Sequence, residues 1–573
     1  MSFLEVRHVQ KIYTTRFGGT KVQALTDVNF TVEKGEYVAI MGESGSGKTT
    51  LLNILAALDK PTGGEVVLDG RPLSTIPERE IAAFRRSQLG FVFQEFNLLD
   101  TFSVQDNIFL PLVLAGKAYP EMAARLAPIA RQLGIAELLQ KFPYELSGGQ
   151  KQRVCLAGVM VDNVPILLFD EPLANLDPAT GKQAIELIDE IREKTGATVI
   201  IIEHRLEDVL HRSVDRVILM CAGEIAADLP PDELLSSNLL REHGIREPLY
   251  LAALHHAGVE ITADMKPASL RTLQLSAAQK QQVRTWMTNT PPAKDPPEAP
   301  ALLEASHISF SYPNGKKALR DVSVTVRKGE MLSIVGTNGA GKSTFSKVVC
   351  GFEQQQEGTL TFDGRDLMQR SIKERADHIG YVMQNPNQML CKVQIFDEVA
   401  LGLVSRGVGE DETREHVESA LRICGLFPFR KWPVSALSFG QKKRVTIASI
   451  LALDPELIIL DEPTAGQDFR HYTEIMDFLR ELNRRGVTVV MITHDMHLML
   501  EYCRRSVVFS DGRVIADASP AQILTDEAII RQASLKKTSL YDLALLCEIE
   551  DPRMFVRRFI DYDREVRGND ESV

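Results

Sequence analysis

Short apolar runs alternate with longer helical stretches along most of the chain. Residues 35–58, "GEYVAIMGESGSGKTTLLNILAAL", show the pattern: an apolar strand, a glycine-rich turn and a stretch of helical spacing. Later runs such as "ATVIII" (197–202) have the length and β-branched content of buried strands. Because parallel strands need crossover connections, this alternation predicts an α/β fold with a mostly parallel sheet flanked by helices.

The same pattern occurs twice. "GESGSGKT" (42–49) recurs as "GTNGAGKS" (336–343), "ILLFDEP" (166–172) as "LIILDEP" (457–463), and "VIIIEHR" (199–205) as "VVMITHD" (489–495). The offset stays close to about 290 residues, which indicates a duplicated domain rather than a short structural repeat. We expect a first copy at 1–235 and a second copy at 301–535.

Two segments lie outside the copies. Residues 236–300 begin with partly helical sequence and end in "TPPAKDPPEAPALL" (290–303), which has five prolines in its first eleven residues. Since proline fixes φ and lacks an N–H donor, we expect a stiff, extended linker there. The tail at 536–573 predicts two short amphipathic helices with a packing or docking role.

Composition excludes several classes of protein. A formal net charge of -12 disfavours a protein that acts mainly on nucleic-acid phosphates. The seven cysteines are scattered, which predicts reduced thiols, mostly in the core, and argues against a metal cluster. The apolar runs are shorter than the roughly 18 residues of a membrane span, and the N-terminus lacks the order of a signal peptide. We therefore expect a cytoplasmic protein that reaches a membrane only through a partner.

A glycine loop of the form G-x-x-x-x-G-K-[ST] follows a strand and opens a helix in each copy. Backbone N–H groups and a helix N-terminus of this kind bind phosphate. We expect Lys48 and Lys342 to reach the β- and γ-phosphates of ATP, and Thr49 and Ser343 to offer hydroxyls to Mg²⁺. The other loop residues assigned to the nucleotide are Gly42, Ser44, Gly45, Gly47 and Thr50, with Gly336, Asn338, Gly339, Gly341 and Thr344 in the second copy.

An acidic pair ends an apolar strand in each copy. Asp170 and Asp461 are placed to hold Mg²⁺, directly or through water, and the adjacent Glu171 and Glu462 to polarise an attacking water. Taken alone, either pair reads equally well as a strand-end turn. Its recurrence after a glycine loop in both copies favours the catalytic interpretation.

Histidine and glutamine side chains follow strands at matched positions. His204 and His494 come 33 and 32 residues after the glutamates, and their recurrence favours a γ-phosphate contact over a structural role. Gln94 and Gln384 each follow a short apolar strand, where a glutamine can touch Mg²⁺ or water from a moving loop. Without the repeat, both glutamines would be assigned to the polar surface.

An aromatic residue ends the first strand of each copy. Tyr13 and Tyr312 could stack on a nucleotide base, although strand aromatics are commonly core residues.

A second phosphate-binding helix start is predicted in each copy. "LSGGQ" (146–150) and "LSFGQ" (437–441) offer a serine hydroxyl and bare backbone before a helix. One nucleotide does not need two such sites in one domain, so we expect the site of one copy to close over nucleotide held by the other. The residues assigned to this contact are Ser147, Gly149, Gln150, Ser438, Gly440 and Gln441.

Together these motifs resemble the ATP-binding cassette (ABC) ATPases, over both copies. The resemblance implies ATP and Mg²⁺ as ligands, and two P-loop domains, each with an antiparallel β part and a helical signature subdomain. It also implies two nucleotides sandwiched between domains, paired within one chain or in a homodimer, and separate membrane subunits moved at the cytoplasmic face. Asp177 and Asp468 match the aspartate of the family's following loop.

The branch of the family is less uniform. "YVMQNPNQMLCKVQIFDEVALGL" (381–403) and the signature "LSFGQKKRV" (437–445) resemble ATPases of energy-coupling-factor importers for vitamins, their precursors or metal ions. Residues 146–182 resemble the first domain of the tandem ATPases in that group, notably those linked to thiamine or its hydroxymethylpyrimidine precursor. Residues 1–140 are more similar to lipoprotein-release, macrolide-export or peptide-resistance ATPases, so the first copy reads as a mosaic. A soluble tandem protein acting on ribosomes or DNA, or a regulatory module without turnover, are the alternatives from other classes.

Phe439 replaces the first glycine of the second signature. Its N–H group is retained, so the change matters only if that residue needs a positive φ. We expect two competent composite sites, unequal at most, with Gln467 as a further source of inequality.

Overall fold

The structure, a computed structural model, describes residues 2–14, 21–93, 96–161, 164–173, 176–293, 298–464 and 469–570, with only the backbone of Phe439 and of 567–570. The chain divides into two compact units. One is formed mainly by Met1–Gln279 and the other mainly by Lys280–Gln467 and His471–Val573. Each unit contains one copy of the duplicated sequence.

The first copy contains two sheets. Its strands are β1 (Leu4–Thr14), β2 (Lys21–Val32), β3 (Tyr37–Gly42), β4 (Gly63–Leu68), β5 (Arg71–Pro72), β6 (Leu89–Val92), β7 (Ile166–Asp170), β8 (Thr198–Ile202), β9 (Arg216–Cys221) and β10 (Glu224–Leu229). The order β2-β1-β4-β5 is antiparallel, and β10-β9-β3-β8-β7-β6 is parallel except for β10. β3, β7 and β8 are buried along their whole length, as expected for strands covered on both faces.

Helices of the first copy cover the parallel sheet and form a separate helical part. They are α1 (Lys48–Leu55), α2 (Glu78–Gln88), α3 (Val104–Leu114), α4 (Tyr119–Gln132), α5 (Gly148–Met160), α6 (Pro178–Thr195) and α7 (Leu206–Val209). Short 3-10 turns occupy Leu73–Thr75, Ala136–Leu138 and Pro143–Glu145. α3 and α4 pack on α5. The buried side chains of α1 join both sheets in one apolar core, which fixes the glycine loop at its start.

The helical segment after the first copy packs on α7. It follows α8 (Pro231–Leu235), the last helix of the first copy, and consists of α9 (Leu239–Glu242), α10 (Leu249–His256) and a 3-10 turn at Ala263–Met265. The N–H of Leu249 donates to Glu207 Oε2 at 3.0 Å, and Tyr250 Oη donates to the carbonyl of Pro267 at 2.5 Å. The next helix is α11 (Ala277–Asn289).

The second copy repeats the strand order of the first. Its strands are β11 (Ala301–Ser311), β12 (Lys317–Arg327), β13 (Met331–Gly336), β14 (Glu357–Phe362), β15 (Arg365–Asp366), β16 (Ile379–Val382), β17 (Leu457–Asp461), β18 (Thr488–Ile492), β19 (Arg505–Ser510) and β20 (Arg513–Ala518). They form an antiparallel sheet β12-β11-β14-β15 and a mostly parallel sheet β16-β17-β18-β13-β19-β20. The α/β fold predicted for each copy, with its antiparallel part, is thereby confirmed.

The helices of the second copy also follow the first. They are α12 (Lys342–Cys350), α13 (Ile372–Arg375), α14 (Ile395–Ser405), α15 (Glu410–Ile423), α16 (Phe439–Leu451), α17 (Phe469–Arg484), α18 (Met496–Tyr502), α19 (Pro520–Ile523) and α20 (Glu527–Ala533), with 3-10 turns at Pro386–Gln388, Phe427–Phe429 and Val434–Ala436. α14 and α15 pack on α16. The signature subdomain is thus an all-helical part in both copies.

The C-terminal tail contains two helices, α21 (Ser539–Leu546) and the longer α22 (Pro552–Asp570). The Trp286 ring of α11 meets the rings of Phe555 and Tyr562 edge-on, with centroids 5.9 and 5.5 Å apart. Arg284 donates to the Cys547 carbonyl at 2.7 Å. Arg564 of α22 donates to the carbonyls of Leu500, Glu501 and Cys503, at the C-terminal end of α18.

Two predictions about the whole chain can be compared with these elements. None of the helices among the described residues is both long and apolar enough to span a lipid bilayer. All seven cysteines lie within the described ranges as free thiols, and four of them are buried: Cys350, Cys424, Cys503 and Cys547.

Candidate functional site

The glycine loop of the first copy runs from the end of β3 into α1, and its glycines are required by close backbone contacts. Gly42 and Gly47 have φ angles of 153° and 97°. A Cβ atom would lie 2.3 Å from the Met220 carbonyl oxygen at Gly42, and 2.5 Å from the Ala24 oxygen at Gly47. The tip of the loop is open, since Ser44 and Gly45 are exposed, as are Asn338 and Gly339 in the second copy. Phosphate could therefore approach bare backbone at the start of α1.

Both glycine loops share a buried lysine whose side chain folds over the loop. Lys48 Nζ donates to the carbonyls of Gly42 and Glu43 at 2.9 and 2.8 Å. Lys342 Nζ donates to those of Gly336 and Thr337 at 2.7 and 2.9 Å. Each ammonium group is thus held within the ring of backbone groups that would surround the phosphates.

The helix start lies beside the carboxylate that ends the neighbouring strand. Thr49 Oγ1 donates to Asp170 Oδ1 at 3.4 Å. Burial, with a smaller contribution from the Glu171 charge, raises the pKa of Asp170 to about 6. Burial likewise raises the pKa of Asp461, against the opposing effect of its hydrogen bond with Ser343. A hydroxyl and a carboxylate are oxygen ligands of the kind Mg²⁺ prefers, and a bound cation would stabilise the charged carboxylate, so these residues fit a magnesium site.

Each predicted catalytic glutamate is paired with the predicted histidine of its own copy. His204 Nε2 lies 2.8 Å from Glu171 Oε1, and His494 Nδ1 lies 2.7 Å from Glu462 Oε1. Burial acts to raise the pKa of Glu171, but the His204 hydrogen bond and the nearby positive charges outweigh it, so that this pKa is lowered. The glutamate is therefore held ionised beside the cation site.

The glutamates also have unusual backbone conformations. Glu171 and Glu462 have φ angles of 47° and 48°, in the left-handed region. Their N–H groups donate to the carbonyls of Ile202 and Ile492 at 3.0 and 2.9 Å. A non-glycine residue in this region costs on the order of 1 kcal/mol, which the surrounding structure must offset. The conformation turns each glutamate toward the histidine that follows the next strand.

The signature serines begin helices α5 and α16, and each forms a reciprocal cap with the glutamine three residues later. The N–H of Gln150 donates to Ser147 Oγ at 3.4 Å, and the N–H of Ser147 donates to Gln150 Oε1 at 2.9 Å. Ser438 and Gln441 repeat this pair at 3.3 and 3.1 Å. The glutamine side chains therefore fix the helix start, and the serine hydroxyl proton stays available to an anion.

The glycines of the two signatures are best explained by packing and by helical backbone. A Cβ atom at Gly149 would lie 2.5 Å from Thr180 Cγ2 of α6, and Gly440 is buried. Phe439 is the first residue of α16. It has no positive φ, so the backbone condition under which the substitution would matter does not arise. Its side chain lies outside the described part of the structure.

The two tyrosines have different surroundings. Tyr13 is exposed, donates to Asp59 Oδ2 at 2.9 Å and lies under the Lys11 ammonium group, 5.0 Å from the ring centroid. Tyr312 is partly buried, and its hydroxyl lies 3.1 Å from Thr344 Oγ1 in the helix after the glycine loop. Base stacking by either ring stays a prediction.

Of the two predicted glutamines, only Gln384 lies among the described residues. Gln384 is exposed on the loop after β16. Gln94 lies outside the described residues, as do Gln467 and Asp468. Asp177 caps α6 by accepting from the Thr180 N–H at 3.0 Å.

Sequence reasoning missed a buried lysine of the signature helix. Lys443 is 1% exposed, and burial lowers its pKa to about 8, with the charges of Asp461 and Glu462 opposing the shift. Its equivalent in the first copy is Gln152, which is 3% exposed and donates to the Pro172 carbonyl at 3.2 Å. Aligning the two copies position by position would have marked this difference.

Comparison with protein families gives matches over both copies. A family model described as "ABC transporter" matches residues 25–174 and 319–465. A model described as "ATP-binding cassette cobalt transporter" matches 237–310, and an AAA-domain model matches 430–501.

Individual relatives match over nearly the whole chain. A Clostridium perfringens protein named as an ABC transporter ATP-binding protein is 49% identical over 564 residues, which is 97% of this chain and 98% of that protein. An Enterococcus faecalis protein of the same name is 50% identical over 551 residues, 95% and 96% of the two chains. Among solved structures, cbiO1 from Clostridium perfringens, part of the ABC transporter complex cbiONQ, is 34% identical with a TM-score of 0.39. The match covers 44% of this chain and 99% of cbiO1.

Proposed function

This chain belongs to the ABC transporter family as an ATP-binding, ATP-hydrolysing subunit, and on that premise we propose how its two copies work. Each copy holds Mg²⁺-ATP on its own glycine loop and hydrolyses it with its own glutamate. The observation that carries the proposal is the pair of matched contacts between glutamate and histidine, Glu171 with His204 and Glu462 with His494.

In the proposed reaction the chain's own residues bind, orient and polarise. Lys48 and Lys342 neutralise phosphate charge, and the glycine-loop N–H groups hold the phosphate oxygens. Thr49 with Asp170, and Ser343 with Asp461, would hold Mg²⁺, which supplies charge stabilisation to the phosphates when bound. Glu171 and Glu462 orient the attacking water, and the histidines hold the glutamates in place or contact the γ-phosphate.

The signature helices complete the sites in the proposed arrangement. A helix N-terminus with a serine at its cap binds an anion, and Ser147 and Ser438 are the N-cap residues of α5 and α16. We place Ser438 over the nucleotide held by Lys48, and Ser147 over the nucleotide held by Lys342. Neither copy would then hydrolyse ATP at full rate alone.

Exposed apolar side chains support docking to membrane subunits at the cytoplasmic face. They lie in or next to α3 in the first copy and α14 in the second: Leu99, Phe102, Val113, Leu114, Tyr119, Val393, Val404 and Trp432. Scattered apolar side chains need no explanation, but several within one short segment indicate an interaction surface. These segments follow the two glutamines, where the resemblance places the membrane partner.

The proposed cargo is a metal ion or a vitamin taken up in the manner of energy-coupling-factor importers. Two observations support import: the importer-like residues 381–403, and the match of 237–310 to the model described as a cobalt transporter. Export is the second candidate, because residues 1–140 resemble export-type ATPases.

The crossed arrangement can be tested with two arginine substitutions. Ser438→Arg should lower vanadate-trapped azido-ATP label in the half that contains Lys48, and Ser147→Arg should lower it in the half that contains Lys342. Cleavage in the proline-rich linker separates the halves for counting. Loss of label in the half that carries the substitution would contradict the crossed arrangement.

The transport role can be tested on the complex from solubilised membranes. The tagged chain should co-purify with integral membrane proteins, and ATP should drive accumulation of ⁵⁷Co²⁺ or labelled thiamine in vesicles reconstituted with that complex. Exit of either cargo from loaded vesicles would favour export. A chain that stays soluble, without any membrane protein, would refute a transport role.

A further inference from the structure

The structure contains a buried cation that joins three elements of the second copy. Lys443 lies on α16, and its Nζ donates to four backbone carbonyls. Two belong to the loop after β16: Met383 at 3.0 Å and Gln384 at 2.9 Å. The other two belong to Asp461 and Glu462 at the end of β17, both at 3.3 Å. The signature helix, the Gln384 loop and the catalytic strand end therefore meet at one ammonium group.

The contacts of Lys443 hold together groups that cannot bind one another. Carbonyl oxygens are acceptors only, so the two pairs of carbonyls need a shared donor to stay close. A charged donor forms stronger hydrogen bonds than a neutral one, and burial strengthens them further. Without the lysine, all four carbonyl oxygens would lose this shared donor, and the Gln384 loop would lose its bonds to the signature helix at Met383 and Gln384.

The first copy differs at this point. Gln152 occupies the equivalent helix position and is equally buried, but it is neutral and shorter. This fold therefore accommodates glutamine at the position, which makes Lys443→Gln a substitution matched to the other copy. A glutamine amide carries two N–H donors, whereas the lysine ammonium carries three.

We propose that Lys443 is a positioning residue for hydrolysis at the second site, holding the Gln384 loop against the strand end that carries Asp461 and Glu462. Lys443 acts through Gln384, which reaches the attacking water or the metal. The phosphates are bound by the Lys342 loop, which Lys443 does not contact in the described structure. Its effect should therefore fall on kcat and leave nucleotide affinity nearly unchanged. This inference rests on the proposed function of Glu462.

The test is a double-mutant cycle on the full chain, with steady-state ATP hydrolysis and nucleotide affinity as readouts. Lys443→Gln should lower kcat about tenfold or more, as is typical when a residue that holds a metal ligand or reacting group from the outer shell is lost, with Kd for ATP changed less than about threefold. Gln384→Ala should give the same signature. Adding Lys443→Gln to Gln384→Ala should cause little further loss, because the two residues act as one unit.

The cycle is measured both with native Glu171 and with Glu171→Gln. If the sites work independently, the Glu171→Gln chain isolates the second site. If the two sites hydrolyse in strict alternation, every cycle of the native chain includes hydrolysis at the second site, so slowing that step lowers the kcat of the native chain. The control is Arg444→Gln on the same helix, which also removes one positive charge. Its guanidinium pairs with Glu474 of α17, and the substitution should leave kcat unchanged.

Three results would overturn the inference. The first is an unchanged kcat in Lys443→Gln. The second is a double variant whose loss in kcat equals the product of the losses in Lys443→Gln and Gln384→Ala. The third is a Gln384→Ala chain with unchanged kcat, which refutes the role even if Lys443→Gln fails to fold. Failure of the proposed function looks different, because adding Glu462→Gln to the Glu171→Gln chain would then leave its rate of ATP hydrolysis unchanged.

Discussion

Replacing Asp170 by asparagine should stabilise the nucleotide-free protein while removing a proposed Mg²⁺ ligand. The folded structure raises the pKa of this carboxyl from 3.8 to about 6, chiefly because burial penalises its charge. A difference of about two units at 1.36 kcal/mol per unit corresponds to about 3 kcal/mol of unfolding free energy. At neutral pH, the asparagine variant avoids that penalty.

The sign of the effect fixes its pH dependence. Between about pH 4 and pH 6 the folded protein keeps a proton on Asp170 that the unfolded chain has released, so wild-type stability falls as pH rises through this window. Asparagine does not titrate. The stability gap between variant and wild type should be near zero below pH 4, open between pH 4 and 6, and stay constant above.

Urea unfolding is carried out in EDTA and monitored by hydrogen exchange of the β7 amides, which belong to the first unit. It measures the difference in unfolding free energy between the variant and the wild type. Asp27→Asn serves as the control, since that exposed carboxyl has a pKa lowered by its hydrogen bonds with Asn29 and His8, and its replacement should not stabilise the protein. Mg²⁺-ATP should then reverse the order, stabilising wild type more than the variant. Equal stability of Asp170→Asn and wild type at pH 7 in EDTA would refute the burial argument.

Three further predictions concern the remaining groups. Glu171→Gln and Glu462→Gln should each keep ATP binding but slow hydrolysis at the affected site by at least about a hundredfold, and a variant that turns over normally would exclude that glutamate as the base. Lys342→Met should weaken ATP binding about tenfold or more, as measured by equilibrium titration, and unchanged affinity would contradict its phosphate contact. Arg564→Met should lower the urea-unfolding free energy by about 2–4 kcal/mol through loss of its bonds to three carbonyls, whereas exposed Arg553→Met on the same helix should not.

The parts of the site that the sequence predicts are those set by short spacing. A glycine loop between a strand and a helix leaves little choice of geometry, and the apolar run before Asp170 places that carboxylate at a strand end beside Thr49. Because the domain is duplicated, the sequence also pairs Glu171 with Glu462 and His204 with His494 as equivalent residues of the two copies. Sequence alone nevertheless suggested a phosphate contact for these histidines, while the structure places them against the glutamates.

The parts that escaped prediction depend on long-range contacts. Lys443 stands in "QKKR", which reads as a charged helix surface, and its burial becomes visible only when β16, β17 and α16 converge. Arg564 resembles any arginine of an amphipathic helix until α22 packs against α18. The left-handed backbone of Glu171 is set by a bond to Ile202, a strand away. No local pattern specifies such partners.

The contact between α11 and α22 bears on how the second half of the protein should be produced for study. A recombinant fragment starting at residue 301 would lose Trp286 and expose the rings of Phe555 and Tyr562. A fragment that stops at residue 535 would lose Arg564. The carbonyls at the C-terminal end of α18, the helix that follows His494, would then lose the guanidinium that donates to them. A soluble, folded fragment of the second half should therefore begin no later than residue 277 and continue through α22.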